Sequence, residues 1–144
     1  MARADGQCLC GAVRVSVADL ARKISACHCA MCRRWSGAIM MGIEVDASGV
    51  TVRGPVKTYA SSQFAERAWC ETCGSALWIR DTVGGAMPYE LMPGLFENAG
   101  GAVLDHEVYA DCCPEGYALA GDHRRNSAKE YEVANRHVRT GDTR

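Results

Sequence analysis

Short stretches of alternating or continuous apolar residues dominate the chain and predict strands rather than helices. Residues 12–17, "AVRVSV", alternate between apolar and polar positions, so one face of an extended strand would be buried. Residues 39–45, "IMMGIEV", form an apolar run of strand length. Similar patterns predict further strands at 50–54, 56–62, 66–70, 75–80, 89–96 and 106–110. Gly and Pro residues between these runs are typical of tight turns.

Helix signals are few. Residues 29–35 predict one or two helical turns, and residues 126–138 predict a short C-terminal helix with Asn126 or Ser127 as its N-cap. Because strands outnumber helices, we predict a mainly β fold. The length of 144 residues fits one domain, which we place at 1–138, followed by a polar tail at 139–144.

The charge balance argues against a general nucleic-acid binder. Sixteen basic and seventeen acidic side chains give a formal net charge of −1, whereas such binders normally carry a basic surplus. The N-terminal sequence has no apolar run of signal-peptide length, and no apolar stretch is long enough for a membrane span. We therefore expect a cytoplasmic protein with no membrane partner. The sequence carries no signal for an oligomeric state.

Nine cysteines are the most distinctive feature of the composition. In a reducing compartment they indicate metal ligands or reactive thiols rather than disulfides. They fall into groups with their own spacing: Cys8-x-Cys10, Cys27-x-Cys29-x2-Cys32, Cys70-x2-Cys73 and the adjacent Cys112-Cys113. The last pair has no chelating spacing, and we expect it simply to be buried.

Two of these groups together provide four thiols. Cys8 and Cys10, at i and i+2 of an extended segment, point to one face, and the turn of Cys70-x2-Cys73 brings two further sulfurs together. Four thiolates complete a tetrahedral structural zinc site. We predict that one zinc ion joins the two pairs and connects the first strand to the central hairpin.

The remaining group, Cys27, Cys29 and Cys32, then has three thiols. Three protein ligands and an open position are typical of a catalytic zinc. In an alternative partition, these three thiols gain a fourth protein ligand, with His28, Cys112 or Cys113 as candidates. His28 is disfavoured because it would point away from the face that Cys27 and Cys29 share.

Polar residues elsewhere are candidates for contact with a substrate. Arg33 and Arg34 directly follow the three-cysteine group and could hold a carboxylate, although each could equally form a solvated face. Ser61 and Ser62 are weaker candidates, since hydroxyls at strand ends are common. His106 is a candidate general acid or base, and a structural histidine is an equally good reading.

Taken together, "GQCLCGAVRVSV", "CHCAMCRRWSGA", "VKTYASS" and "RAWCETCGSALWIR" carry a dense pattern across roughly residues 6–82. The chain resembles the glutathione-dependent formaldehyde-activating enzyme family, which also includes centromere protein V. It departs from the family pattern at 111–116, "DCCPEG", where other members often carry a Pro-Trp pair. That departure concerns the substrate pocket rather than the zinc sites.

The resemblance implies a β-tent fold of short antiparallel strands. It implies a structural zinc at Cys8, Cys10, Cys70 and Cys73 and a catalytic zinc at Cys27, Cys29 and Cys32, in agreement with the spacing argument. The implied activity is carbon–sulfur lyase chemistry, in which glutathione or a similar small thiol is joined to an aldehyde such as formaldehyde. A small thiol and an aldehyde would then be the substrates, and hence the partners, of the protein.

Three other readings of the cysteines remain open at this point. A zinc-stabilised binding or scaffold module without turnover is the main alternative. A zinc-ribbon nucleic-acid binder is disfavoured by the charge. A redox thiol sensor would be favoured if the three-cysteine group held no metal. The number of bound zinc ions separates these readings.

Overall fold

The computed structural model describes residues 2–138 and is mainly β, as predicted. Within that range the strands are β1 Ala2–Gln7, β2 Arg14–Leu20, β3 Lys23–Cys27, β4 Met40–Val45, β5 Val50–Arg53, β6 Val56–Ala60, β7 Ala65–Cys70, β8 Ala76–Asp81, β9 Tyr89–Leu91, β10 Val103–Val108 and β11 Arg124–Arg125. The helices are α1 Ala30–Ser36 and α2 Ala128–Ala134. Short 3-10 turns occur at Ala47–Gly49, Pro93–Leu95, Glu97–Gly101 and Ala110–Cys112. The predicted polar tail, 139–144, lies outside the described residues.

The described residues form two compact units. The first unit takes residues 2–24 and 42–103, and the second takes 25–41 and 104–138. The assignment of residues 1–138 to one domain stays a prediction. No helix of the described chain is long and apolar enough to cross a membrane.

Antiparallel strands build the first unit. One sheet has the order β1-β2-β5, and a second ladder runs β4-β9-β8-β7-β6. Strand β2 shows the alternation read from its sequence, because Val15 and Val17 are fully buried while Arg14 is exposed. Side chains from β8 and β9, including Leu77 and Leu91, are also fully buried and contribute to the core of this unit.

Four predicted strands end earlier than their sequences suggested: β5 at Arg53, β6 at Ala60, β9 at Leu91 and β10 at Val108. Residues 89–96 form a strand only to Leu91, because Pro93 cannot donate a ladder hydrogen bond and begins a 3-10 turn instead. Strand β10 ends at Val108, because Tyr109 adopts a left-handed conformation with φ of 53°. The strands β1, β3 and β11 were not predicted.

Helices α1 and α2 lie in the second unit, where the strand order is β11-β10-β3. Helix α1 confirms the predicted turns at 29–35, with Cys29 as N-cap and Gly37 as left-handed C-cap. Helix α2 is shorter than the predicted 126–138, and of the two suggested N-caps the structure selects Ser127. Its side chain accepts from the Glu130 amide while the Glu130 carboxylate accepts from the Ser127 amide, which forms a capping box.

Gly54 permits a close approach between the end of β5 and the loop that precedes β2. Its φ of +116° is unfavourable for any residue with a side chain, and a Cβ there would lie 2.1 Å from the carbonyl oxygen of Ala12. The Ala12 amide donates to the sulfur of Cys10 at 3.4 Å. Crowding at Gly54 would therefore disturb a cysteine of the four-thiol group as well as the sheet.

We expect Gly54→Ala to lower Tm by about 10 °C, because left-handed strain and the clash with Ala12 together cost about 3 kcal/mol. Thermal unfolding followed by circular dichroism measures the change. Gly94→Ala is the matched control, since its φ is ordinary and an added Cβ would have no atom within 4 Å. Equal Tm values for the two variants would contradict the prediction.

Candidate metal centres and active site

Four thiols of the first unit converge as the spacing predicted. Cys8 follows β1, Cys10 lies in the turn before β2, Cys70 ends β7, and Cys73 lies in the turn between β7 and β8. All four sulfur atoms lie within 4.8 Å of one another. We refer to these residues as the four-cysteine cluster.

The distances within the four-cysteine cluster fit zinc. The Sγ–Sγ distance is 3.6 Å between Cys8 and Cys10 and 3.9 Å between Cys10 and Cys70. Four Zn–S bonds of about 2.3 Å at tetrahedral angles place their sulfur atoms about 3.8 Å apart. Both the donor set and the spacing are therefore suitable for a closed zinc site.

Local hydrogen bonds prepare these sulfurs for negative charge. The Val13 amide donates to the Cys8 sulfur at 3.3 Å, and the Ala12 amide donates to that of Cys10. Hydrogen bonding by Ser75, whose Oγ lies 3.2 Å from the Cys73 sulfur, lowers the pKa of Cys73 to about 5. The Ala12 amide also favours the Cys10 thiolate, but desolvation and the neighbouring thiols outweigh it and raise the pKa of Cys10 to about 11. Four neighbouring thiolates would concentrate negative charge, and a bound cation would stabilise all four in that form.

The other three thiols form a cluster in the second unit. Cys27 ends β3, Cys29 is the N-cap of α1, and Cys32 lies in the first turn of α1. Their sulfur atoms all lie within 4.8 Å of one another. The helix start brings them together, because the Cys29 sulfur accepts a hydrogen bond from the Cys32 amide at 3.4 Å. We refer to these residues as the three-cysteine cluster.

Within residues 2–138, no fourth Cys, His, Asp or Glu joins the three-cysteine cluster. Neither His28 nor the Cys112-Cys113 pair supplies the extra ligand of the alternative partition. The Cys27 thiol donates hydrogen bonds to the sulfurs of Cys29 and Cys32, and these bonds, together with burial and the negative charge of those neighbours, raise the pKa of Cys27 well above its usual value. The set is suited to a soft divalent cation such as zinc, which would stabilise neighbouring thiolates.

Access to the three-cysteine cluster is uneven. Cys29 is 3% exposed and Cys32 is 4% exposed, whereas Cys27 is only half-buried. A small molecule that reaches the cluster therefore has its approach on the side of Cys27.

The two arginines that follow the cluster have different environments. Arg33 is half-buried, and its Nε donates to the carbonyl oxygen of His28 at 2.8 Å. Arg34 is exposed, two residues beyond Cys32 on the same short helix. Arg33 thus contributes to the local structure, while Arg34 presents its charge to solvent.

Ser61 and Ser62 lie in the turn between β6 and β7, in the first unit. The Ser61 hydroxyl donates to the Ala65 carbonyl oxygen at 3.4 Å, and the Ser62 hydroxyl accepts from the Phe64 amide at 3.2 Å. Both hydroxyls therefore hydrogen-bond the backbone of their own hairpin.

His106 lies on β10 and is half-buried. Its Nδ1 is 2.8 Å from a carboxylate oxygen of Asp105, which is also 3.5 Å from the Arg124 guanidinium. His106 is not part of the three-cysteine cluster. A role in proton transfer stays a prediction.

The adjacent cysteines are half-buried rather than fully buried as expected, and neither belongs to a described cluster. The Cys113 thiol lies 3.3 Å from the carbonyl oxygen of Tyr117 and 3.6 Å from that of Pro114. The Cys113 thiol therefore has its hydrogen-bond partners in the backbone nearby.

A buried polar group that the sequence reasoning missed lies next to the three-cysteine cluster. Glu107 on β10 is 3% exposed, and one of its carboxylate oxygens lies 2.5 Å from Nε2 of His28. The other oxygen contacts Nε2 of His123 and lies 3.1 Å from Nε of Arg125. The members of this group are far apart in sequence, from His28 to Arg125, so no local sequence pattern indicates it.

The carboxylate of Glu107 is ionised in this setting. Burial by itself would raise its pKa, but hydrogen bonds from His123 and His28 and the positive charge of Arg125 lower it below the usual value. A carboxylate only accepts hydrogen bonds, so both histidines carry a proton on Nε2.

Comparison with known proteins identifies a family that the chain resembles. The sequence model of the family described as "Glutathione-dependent formaldehyde-activating enzyme" matches residues 3–111. An uncharacterized lyase of Schizosaccharomyces pombe is 34% identical over 117 residues, which cover 81% of this chain and 85% of that protein. A putative glutathione-dependent formaldehyde-activating enzyme of Halomonas elongata is 32% identical over 87 residues, which cover 54% of this chain and 55% of that protein.

A solved structure has a similar fold. The crystal structure of a Rhodobacter sphaeroides protein matches with a TM-score of 0.51 and 25% sequence identity, covering 84% of this chain and 98% of that one. The family match includes both cysteine clusters and extends over most of the chain. The chain therefore belongs to the glutathione-dependent formaldehyde-activating enzyme family.

Proposed function

We propose that this protein is a carbon–sulfur lyase that joins a small thiol, glutathione or a similar compound, to an aldehyde such as formaldehyde, and catalyses the reverse reaction. The observation that carries the proposal is the three-cysteine cluster, with three converging sulfurs, no fourth ligand within residues 2–138 and one member, Cys27, that is only partly buried. Family membership and a relative named as a lyase support the reaction class.

The reaction requires little of the chain beyond holding two reactants together. The substrate sulfur forms a bond to the aldehyde carbon, the C=O π bond breaks, and the proton of the thiol ends on the aldehyde oxygen. Holding a thiolate beside a carbonyl carbon removes most of the entropic cost of the encounter. Zinc bound by Cys27, Cys29 and Cys32 would supply a Lewis acid that keeps the substrate thiol in its thiolate form.

The residues around the cluster fit these needs. The backbone of α1 holds Cys29 and Cys32 in a buried position, which excludes water from two sides of the group. Cys27 borders the open side, where the substrate thiol and aldehyde would meet. Arg34 places a positive charge on the adjoining surface, where it would attract the carboxylates of a thiol such as glutathione.

We assign a structural role to the four-cysteine cluster. Its members come from segments 60 residues apart, so one zinc ion would close a long loop of the chain. Two zinc ions per chain are therefore proposed, with the one at the three-cysteine cluster more easily lost because it has one protein ligand fewer.

We expect the purified protein to contain two zinc ions per chain by mass spectrometry of metals. Cys73→Ser should impair the structural site and lower Tm, whereas Cys32→Ser should remove one zinc with a smaller change in Tm. Cys113→Ser, a thiol outside both clusters, should keep both ions. If complete chelation of the metal leaves Tm unchanged, the structural role of the four-cysteine cluster is wrong.

We expect the wild-type protein to accelerate the exchange between glutathione, formaldehyde and their S-hydroxymethyl adduct, as measured by NMR exchange spectroscopy. Cys29→Ser should reduce exchange to the rate without protein, because it removes one of the three converging sulfurs. The Cys113→Ser control should exchange at the wild-type rate. Equal rates for Cys29→Ser and the wild type would exclude catalysis at this cluster and favour a zinc-stabilised binding module.

We expect Arg34→Gln to raise KM for glutathione about threefold with kcat nearly unchanged, because a solvent-exposed ion pair contributes less than about 1 kcal/mol to binding. Arg53→Gln, which changes an exposed arginine of β5, is the control and should leave KM unchanged. The same KM increase in both variants would indicate a general charge effect and contradict a specific role for Arg34.

A further inference from the structure

His28 lies between two members of the three-cysteine cluster and is held at three points. Its backbone amide donates to the carbonyl oxygen of Val108 at 3.2 Å, and its own carbonyl oxygen accepts from Arg33. Its imidazole Nε2 donates to Glu107 at 2.5 Å, and the residue is 0% exposed. The position of the chain between Cys27 and Cys29 therefore depends on these contacts.

Glu107 is held from its other side by the C-terminal segment, residues 112–138. His123 donates to the carboxylate oxygen that His28 does not use, and the Arg125 guanidinium lies beside the same oxygen. The His123 side chain is 5% exposed, so this contact is shielded from water. We call His28, Glu107, His123 and Arg125 the carboxylate brace.

Backbone pairing places the C-terminal segment where it can take part. In the parallel pair of β10 and β11, Arg125 lies opposite Glu107. The Asn126 amide donates to the Glu107 carbonyl oxygen at 2.9 Å, and the Ala110 amide donates to that of Asn126 at 2.9 Å. Backbone hydrogen bonds as well as side-chain contacts therefore hold the segment of His123 and Arg125 against β10.

Helix α2 secures the same segment at its far end. The Tyr109 hydroxyl donates to the Glu132 carboxylate at 2.9 Å, and the two rings of Tyr109 and Tyr131 lie 5.3 Å apart. The Ala128 amide donates to the Asp111 carboxylate at 2.8 Å. Tyr109 keeps a left-handed φ of 53° under these contacts, which an aromatic residue adopts only where surrounding structure enforces it.

We propose that the carboxylate brace positions the three-cysteine cluster, and that the C-terminal segment thereby supplies two positioning residues, His123 and Arg125, for the reaction. Both residues lie beyond the 3–111 range of the family match. The inference rests on the proposed function in taking this cluster as the reaction site. The brace does not touch the substrate, and it acts by holding His28 and hence the sulfurs of Cys27 and Cys29.

The consequence is a measurable difference between the two clusters. Residues that orient metal ligands through hydrogen bonds typically change metal affinity by about 10- to 100-fold when they are replaced. The four-cysteine cluster shares no residue with the carboxylate brace, and it lies in the first unit. Loss of the brace should therefore weaken zinc binding at the three-cysteine cluster alone.

We would compare His123→Leu, His123→Gln and Glu107→Gln in the full chain. Leu cannot donate a hydrogen bond to Glu107, whereas the amide nitrogen of Gln lies close to the position of Nε2 and can donate. In Glu107→Gln, one acceptor oxygen becomes a donor amide, so only one of the two histidines keeps an acceptor. Arg124→Gln is the control, since Arg124 contacts Asp105 rather than Glu107.

Zinc affinity at each cluster is measured by competition with a chromophoric chelator, and the cobalt-substituted protein reports ligand geometry through its absorption bands. We expect His123→Leu and Glu107→Gln to weaken the three-cysteine cluster by about 10- to 100-fold and to alter its cobalt spectrum. His123→Gln should recover most of the affinity. Arg124→Gln, and the four-cysteine cluster in every variant, should match the wild type.

The proposal is overturned if His123→Leu retains wild-type zinc affinity and cobalt spectrum at the three-cysteine cluster. Equal weakening of both clusters would also overturn it, since that pattern indicates general loss of structure. If Glu107→Gln fails to fold, the comparison of zinc affinity between His123→Leu and His123→Gln tests the proposal by itself. Metal affinity requires no turnover, so a wild-type protein without exchange activity would contradict the proposed function while this comparison still tests the brace.

Discussion

Crowding of sulfur atoms is the constraint on which the rest of this structure depends. Seven thiols gather in two clusters, each with all its sulfurs within 4.8 Å of one another. Thiolates at such distances repel each other, so the sulfurs of one cluster do not all ionise easily by themselves. A bound divalent cation would remove this conflict and make the close sulfurs a source of stability. The loops around the clusters, including the tight approach at Gly54, are arranged so that the sulfurs can meet.

The two clusters differ in ways that suit different tasks. The four-cysteine cluster uses two segments 60 residues apart and has amide and hydroxyl donors directed at its sulfurs. The three-cysteine cluster comes from six consecutive positions at the start of a short helix, and one of its members is only partly buried. A site made from such a short piece of chain has few contacts of its own. It therefore needs support from elsewhere in its unit, and Glu107 with its two histidines is placed to give that support.

Much of the fold was readable because its signals are local. The alternation at 12–17 predicted β2, and the Cys-x2-Cys turn predicted the β7–β8 hairpin, since each depends on neighbours in sequence. Strand β1 was missed because the non-polar positions of "ARADGQ" hold only Ala and Gly, which give a weak alternation, and the segment is extended through its pairing with β2. Strand β3 was missed although Ile24 and Ala26 alternate with less buried residues, a pattern too short to stand out. Strand β11 has two residues and exists only through β10.

By itself, the sequence determined the two cysteine sets, the mainly β fold and the capped C-terminal helix. Chelate spacing, alternation and capping act within a few residues, so they leave a signature along the chain. Only the tertiary structure decided that the three-cysteine cluster gains no fourth ligand within residues 2–138, and that His28 turns to a buried carboxylate. It also decided that His123 and Arg125 reach Glu107. Burial and pairing between distant segments place these groups. The residue type alone does not show whether a polar side chain will be buried or exposed.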